Sequence, residues 1–192
     1  FAGSASGRAI VKPDERNKPR LSAFLDIPGF RFNDTYLGHA RIRGGFETDA
    51  QTIRLQANMT EGTIGQTNVT GYVSLGHKDL DLRVEGENTP LGFLNHYISD
   101  IFHNIRGRAT GSCRIFGGFK SIDFEGTQRA SASALLPING VTYHLNDADI
   151  QITPGSFRLL NASLTDSIHG NGRVQGVLNH RNLRDMRYDF AM

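Results

Sequence analysis

Residues 121–136 read as one unbroken alternation. Ile122, Phe124, Gly126, Gln128, Ala130, Ala132, Ala134 and Leu136 fall on one face, with Ser121, Asp123, Glu125, Thr127, Arg129, Ser131 and Ser133 on the other. A period of two is the mark of a β-strand with one face on apolar matter and the other in water. The stretch is about three times the usual strand length of ~5–6 residues, so a bend or bulge is expected at Gly126.

The same period recurs along the chain. Ile53, Leu55, Ala57 and Met59 alternate with Thr52, Arg54, Gln56 and Asn58, and Leu80, Leu82 and Val84 alternate with Asp79, Asp81, Arg83 and Glu85. Val141/Tyr143/Leu145, Ile150/Ile152, Phe157/Leu159 and Met186/Tyr188/Phe190/Met192 continue it, separated by turn signals at Asn139-Gly140, Asn146-Asp147 and Pro154-Gly155. A short strand is expected near Arg8–Val11, followed by a loop between Pro13 and Pro19. Glycine-punctuated phrases repeat: Gly107–Ile115 is echoed by Gly172–His180, and more loosely by Gly38–Phe46 and Gly65–Gly76. Repeated strand units of this kind predict an elongated, stacked sheet and not a compact enzyme.

One segment departs from the alternation. Leu91, Leu94, Ile98, Ile101, Phe102 and Ile105 fall at helical spacing, widened by Phe93 and Tyr97. Thr89 suits an N-cap, Pro90 the first helical position and Gly107 a left-handed stop. The pattern predicts an amphipathic helix over 90–105 that covers one face or one end of the sheet. The competing role, a helix in a membrane interface or docked on a partner, is weakened by its single basic residue, Arg106.

Composition narrows the function. With 21 Lys and Arg against 19 Asp and Glu, the net charge of +2 gives no case for nucleic acid as a partner. The 38% apolar and 21% charged content is that of a folded chain. No apolar run approaches the roughly 20 residues that cross a bilayer. The one cysteine, Cys113, sits inside a strand pattern and reads as a small apolar side chain. The seven histidines are scattered; His96 and His103, seven apart on the expected helix, lack the i, i+4 spacing of a metal pair. Gly170-Asn171-Gly172 with Gly176 has the wrong spacing for a dinucleotide loop and opens a strand instead of a helix. Asp79/Asp81 and Asp147/Asp149 read as solvated pairs on a strand face. These residues predict no enzyme, no cofactor and no metal.

Leu80–Leu94 runs from a strand through the phrase Pro90-Leu91-Gly92-Phe93-Leu94, followed after the expected helix by Gly107–Phe116 and Gly117–Gly126. This order, and the tail Gly176–Phe190, resembles the TamB (translocation and assembly module) family of the AsmA-like group of diderm bacteria. The likeness covers about 80–192; residues 1–79 share only its texture. The resemblance implies an all-β, elongated and curled sheet, a β-taco-like trough lined by apolar side chains, here with one helix near 90–105. It implies a single continuous trough segment over 1–192 of a longer chain, which begins here at Phe1, with a sub-unit boundary near 86–90. The expected lining is Leu80, Leu82, Val84, Ile122, Phe124, Ala130, Ala132, Ala134 and Leu136. By the same resemblance, the parent protein is periplasmic and anchored in the inner membrane. Its ligand is a phospholipid or another acyl chain, and parts of the chain not present here meet an outer-membrane barrel of the Omp85 type. Two readings compete with lipid conduction: an assembly factor that adds strands to outer-membrane proteins, and a sealed β-sandwich for adhesion or carbohydrate binding.

Overall fold

The computed structural model describes residues 4–13, 15, 19–48, 50–168, 170–181 and 184–191, so His169 and Met192 lie outside the described residues. Twelve strands pair antiparallel with their sequence neighbours, in chain order, to make one sheet. They are β1 (Ser6–Pro13), β2 (Pro19–Phe32), β3 (Thr35–Glu47), β4 (Thr52–Thr60), β5 (Gln66–Ser74) and β6 (Asp79–Pro90), then β7 (His103–Gly118), β8 (Ser121–Leu136), β9 (Val141–Thr153), β10 (Ser156–Asp166), β11 (Asn171–Arg181) and β12 (Arg184–Ala191). The all-β expectation holds. The repeated glycine phrases are β7 and β11, and the long alternation is β8 in full.

Three expectations need correction. The helix over 90–105 does not form. Thr89 and Pro90 end β6, paired with Ala109 and Arg108, and the Thr89 hydroxyl meets Thr67 Oγ1 at 2.7 Å instead of capping anything. Helical geometry survives as one 3-10 turn, Gly92–His96, and two isolated i→i−4 bonds, from Ile98 N–H to Leu94 and from Phe102 N–H to Ile98, before β7 begins at His103. The Asn95 side chain decides this. Its amide donates to the carbonyls of Gly92 and Ile105 and its Oδ1 accepts from the Ile105 N–H at 2.7 Å. Asn95 thereby offers the chain a local alternative to helix, while pairing of 103–110 with β8 supplies many more bonds. The expected helix-face pair His96 and His103 is therefore split between the 3-10 turn and a strand.

The second correction is at Gly126, where the β7–β8 register runs straight through, from Cys113↔Gly126 to Arg114↔Glu125. Gly126 absorbs no bulge. It has φ +155°, a region L side chains avoid, and a Cβ there would collide with the Ser112 carbonyl. The irregularity falls later, between Ala130 and Ala132 against β9. That is also the third correction. Asn146-Asp147 is no turn between strands but a bulge within β9, with Asp147 at φ +50° and its N–H donated to Ser131 Oγ. Asx residues tolerate this conformation, which is why bulge and turn look alike in sequence.

The sheet is curled. β3 and β6 approach within 8 Å between Cα atoms, although β4 and β5 lie between them and three spacings of a flat sheet span about 14 Å. On the other side, the rings of Phe124 on β8 and His180 on β11 lie 6.0 Å apart across two intervening strands. The Phe124–His180 approach occurs over the apolar face, which is therefore the concave one. The most enclosed core positions are small: Ala40 (0%), Ala148 (1%), Ala130 (2%) and Ala162 (2%). A single curled layer can fully cover a methyl group but leaves longer side chains partly in the open. The accessible surface of 12181 Å² agrees; a compact monomer of this mass would expose roughly 9,000 Å². The 86–90 region carries a register shift between Gly86 and Thr89, and the sheet continues through it.

Candidate functional site

Register shows which side chains share the concave face, because directly opposed residues in an antiparallel pair point the same way. From Leu82 the row runs to Gly71 on β5 and to Ile115 on β7, then to Phe124 on β8. Leu80 and Val84 flank Leu82 on the same face, opposed by Val73 and Val69. Ile122 opposes Gly117, Ala130 opposes both Ala109 and Ala148, Ala132 opposes Leu145, Ala134 opposes Tyr143 and Leu136 opposes Val141. All nine residues expected to line a groove therefore stand on one face. Eight of them are half-buried, while Ala130 is closed over by its neighbours and forms floor instead of wall. The alanines do not face an empty strip: Leu145 and Tyr143 stand beside Ala132 and Ala134.

The face extends well beyond the expected residues. It continues through Ile42, Ala57 and Val69 toward the N-terminal edge, and through Ile150, Leu159 and Val174 to Phe190 on β12. Alternation in the sequence pointed to most of these positions; their sharing of one surface required the register.

The two ends of the concavity differ. Toward the N-terminal half, Phe30, Leu37, Ala40, Ala57 and Met59 form a buried cluster. The 91–102 segment closes over this end, with Phe93 against Phe32 at 5.8 Å between ring centroids and Gly92 packed on Thr35. Toward the C-terminal half, the buried cluster is Ala148, Ala162 and Val174, with Leu145, Leu159, Leu164 and Phe190 packed half-exposed around it. Phe124, Phe157 and His180 make an aromatic group there, Phe157 and His180 being 4.8 Å apart. Desolvation holds the His180 imidazole below its ordinary pKa, opposed by the charge of Asp123, so the neutral ring is favoured.

Most of the charge lies on the opposite, convex face; Asp166, opposed to Tyr143 at the end of β10, stands on the apolar side. Arg114 bonds Asp81 at 2.7 Å and Glu125 at 2.9 Å and stacks over Phe116. The Arg114 guanidinium holds the Asp81 carboxyl below the usual range, so one member of the Asp79/Asp81 pair is committed to an ion pair. Asp147 and Asp149 both face Arg129, at 3.9 and 3.0 Å. Cys113 stands on the apolar face between Val84 and Gly126, half-buried, and burial pushes its thiol pKa up. Among the described residues no group of three or more His, Cys, Asp or Glu side chains could hold a metal ion, and no helix is long and apolar enough to cross a membrane.

The concave face thus offers non-directional burial of apolar matter, and most residues that carry charge stand on its far side. Compared with known proteins, the chain matches no family model, no curated protein and no solved structure.

Proposed function

We propose that the chain is a non-enzymatic segment of a periplasmic bridge protein, akin to the TamB family it resembles in sequence, and that it conducts phospholipid between inner and outer membranes. One observation carries this reading. A single curled sheet presents an apolar concave face across nearly all its strands, and no second sheet lies against that face among the described residues. An acyl chain laid on such a surface gains about 0.8 kcal/mol for each methylene removed from water, while its headgroup stays hydrated at the open side. Movement along the face needs no catalytic group and no cofactor. It needs the absence of charge from the path, since each passing chain would have to desolvate that charge.

A second reading, an assembly factor for outer-membrane proteins, has its own support. Both end strands, β1 and β12, offer an unpaired edge, and every residue of β1 is exposed. An open edge of that kind can receive an incoming strand. The sandwich reading requires two sheets, and the described residues form one.

The test is native purification followed by mass spectrometry of bound phospholipid, with Leu82→Asp as the decisive variant. Leu82 stands half-buried mid-face, where a new carboxylate can be hydrated while the face is empty. The variant should fold, by circular dichroism, and lose its lipid. Thr127→Asp, on the convex face, should keep it. Lipid retained by Leu82→Asp, or absent from the unaltered protein, sinks conduction.

A further inference from the structure

On the convex face of β1–β4 the structure holds a second recess, an open groove of about 730 Å³. Register explains its shape. Arg8, Phe24 and Arg43 are direct cross-strand partners and form one raised row. In the next row, Ile10 opposes Ser22, Ser22 opposes Gly45 and Gly45 opposes Arg54. The two short residues in its middle, Ser22 and Gly45, leave a trench across the strands, closed at its ends by Ile10 and Arg54. At Gly45 a Cβ would meet nothing nearer than the Leu21 carbonyl at 3.9 Å, and its φ lies outside the positive region. The missing side chain therefore serves open space, not backbone strain.

The charge in this groove is unbalanced. Arg54 is held by Glu47 at 2.7 Å. Among the described residues neither Arg8 nor Arg43 forms an ion pair, and the Arg43 guanidinium lies over the Phe24 ring at 5.9 Å from its centroid. Phe24 separates Arg8 from Arg43 by two strand spacings, about 10 Å between Cα atoms. A guanidinium at the end of each flexible side chain can close on one anion held between the two arginines. Approach from two sides favours an acceptor with oxygens in several directions, which a phosphate has and a planar carboxylate lacks. Ile10 and Phe24 supply apolar surface for whatever the phosphate is attached to.

We propose that this groove is a binding site for an organic phosphate ester, its phosphate between Arg8 and Arg43 and its organic part along Ile10, Phe24 and the floor at Gly45. The site is on the face away from the apolar concavity and stands independently of the conduction reading. Its phosphate comes either from a soluble ester or from a lipid headgroup.

The experiment uses two probes on the whole chain: glycerol 3-phosphate, followed by amide shifts in heteronuclear NMR, and vesicles containing phosphatidylglycerol, followed by co-sedimentation. Glycerol 3-phosphate should shift Phe24, Gly44 and Gly45, and raising NaCl from about 0.05 to about 0.5 M should weaken it several-fold. Arg43→Gln should weaken binding about tenfold, as loss of one charge-assisted pair does. Gly45→Val should weaken it as strongly by filling the trench, with every charge left in place. Arg158→Gln, the same charge change on exposed β10, should do nothing. If the vesicles alone bind, and do so in a manner sensitive to Arg43 and Gly45, the site stands and its source is lipid. If neither probe binds, or if binding ignores Arg43→Gln and Gly45→Val, the site does not exist.

Discussion

The two halves of this sheet bury their apolar face by different means. In the N-terminal half the buried cluster includes Phe30, Leu37 and Met59, enclosed by the curl that brings β3 toward β6 and by the 91–102 segment above. In the C-terminal half the buried cluster is made of the smaller Ala148, Ala162 and Val174, with Ile152, Leu178 and His180 buried nearby, and Leu145, Leu159, Leu164 and Phe190 stand half-open. One alternating pattern therefore produces a closed end and an open one. The difference comes from what lies over the face, since the strands themselves are alike in period and pairing.

The largest effect that separates the halves is expected from the same charge placed in each. Met59 is 6% exposed. In Met59→Asp the carboxylate has neither water nor a cation within the cluster, and the loss should be about 4 kcal/mol or more, enough to unfold a marginal domain. Leu164→Asp, half-buried beside an open face, should cost about 1–2 kcal/mol, since its carboxylate keeps much of its water. Urea unfolding followed by circular dichroism gives both numbers. Equal losses would mean that the C-terminal half is as closed as the N-terminal one.

A smaller contrast lies in two glycines of the concave face. Gly126→Ala must place a Cβ against the Ser112 carbonyl at φ +155°, at a cost of about 2 kcal/mol or more. Gly172→Ala meets nothing within 4 Å and should change stability by about 0.5 kcal/mol or less. Gly126 belongs to the central strand pair, where close backbone approach permits the curl, whereas Gly172 lies near the end of β11, where there is room. Thermal midpoints of the two variants measure the difference, and a neutral Gly126→Ala would remove glycine from the account of curvature.

How far the sequence could be read follows from which forces are local. Alternation located β4 and β8 nearly to the residue and the first half of β6, because each strand carries its own two-faced pattern. It could not distinguish the Asn146-Asp147 bulge from a turn, since both ask for an Asx residue in the left-handed region. It mistook 90–105 for a helix because the apolar stripe there is real. Phe93 and Ile105 are apolar in order to cover the end of the sheet, and the backbone beneath them is set by Asn95 and by pairing with β8. The groove lining was legible as a set of apolar positions, but the burial of Ala130 and the large neighbours of Ala132 and Ala134 depend on bulges the pattern does not encode. The convex groove left no periodic trace at all. It arises from the chance alignment, through register, of Ser22 with Gly45 and of Arg8 with Arg43.

The smallest expected effect is a pH dependence centred on His180 in the open half. His180 packs between Phe124 and Phe157, and desolvation lowers its pKa in the folded state while Asp123 opposes the shift. Unfolded, it titrates near the ordinary 6.5. As pH falls through that value the unfolded chain takes up a proton that the folded chain resists, so stability is lost on acidification and regained above it. The thermal midpoint should therefore drop between about pH 7.5 and pH 5, and His180→Phe should flatten that part of the profile. Hydrogen exchange locates the effect. On acidification β8, β10 and β11 should lose protection before β2–β5, whose buried cluster holds no histidine. If His180→Phe keeps the full slope, the imidazole is not the group responsible; if both halves loosen together, the open and closed ends are one cooperative unit despite their different cover.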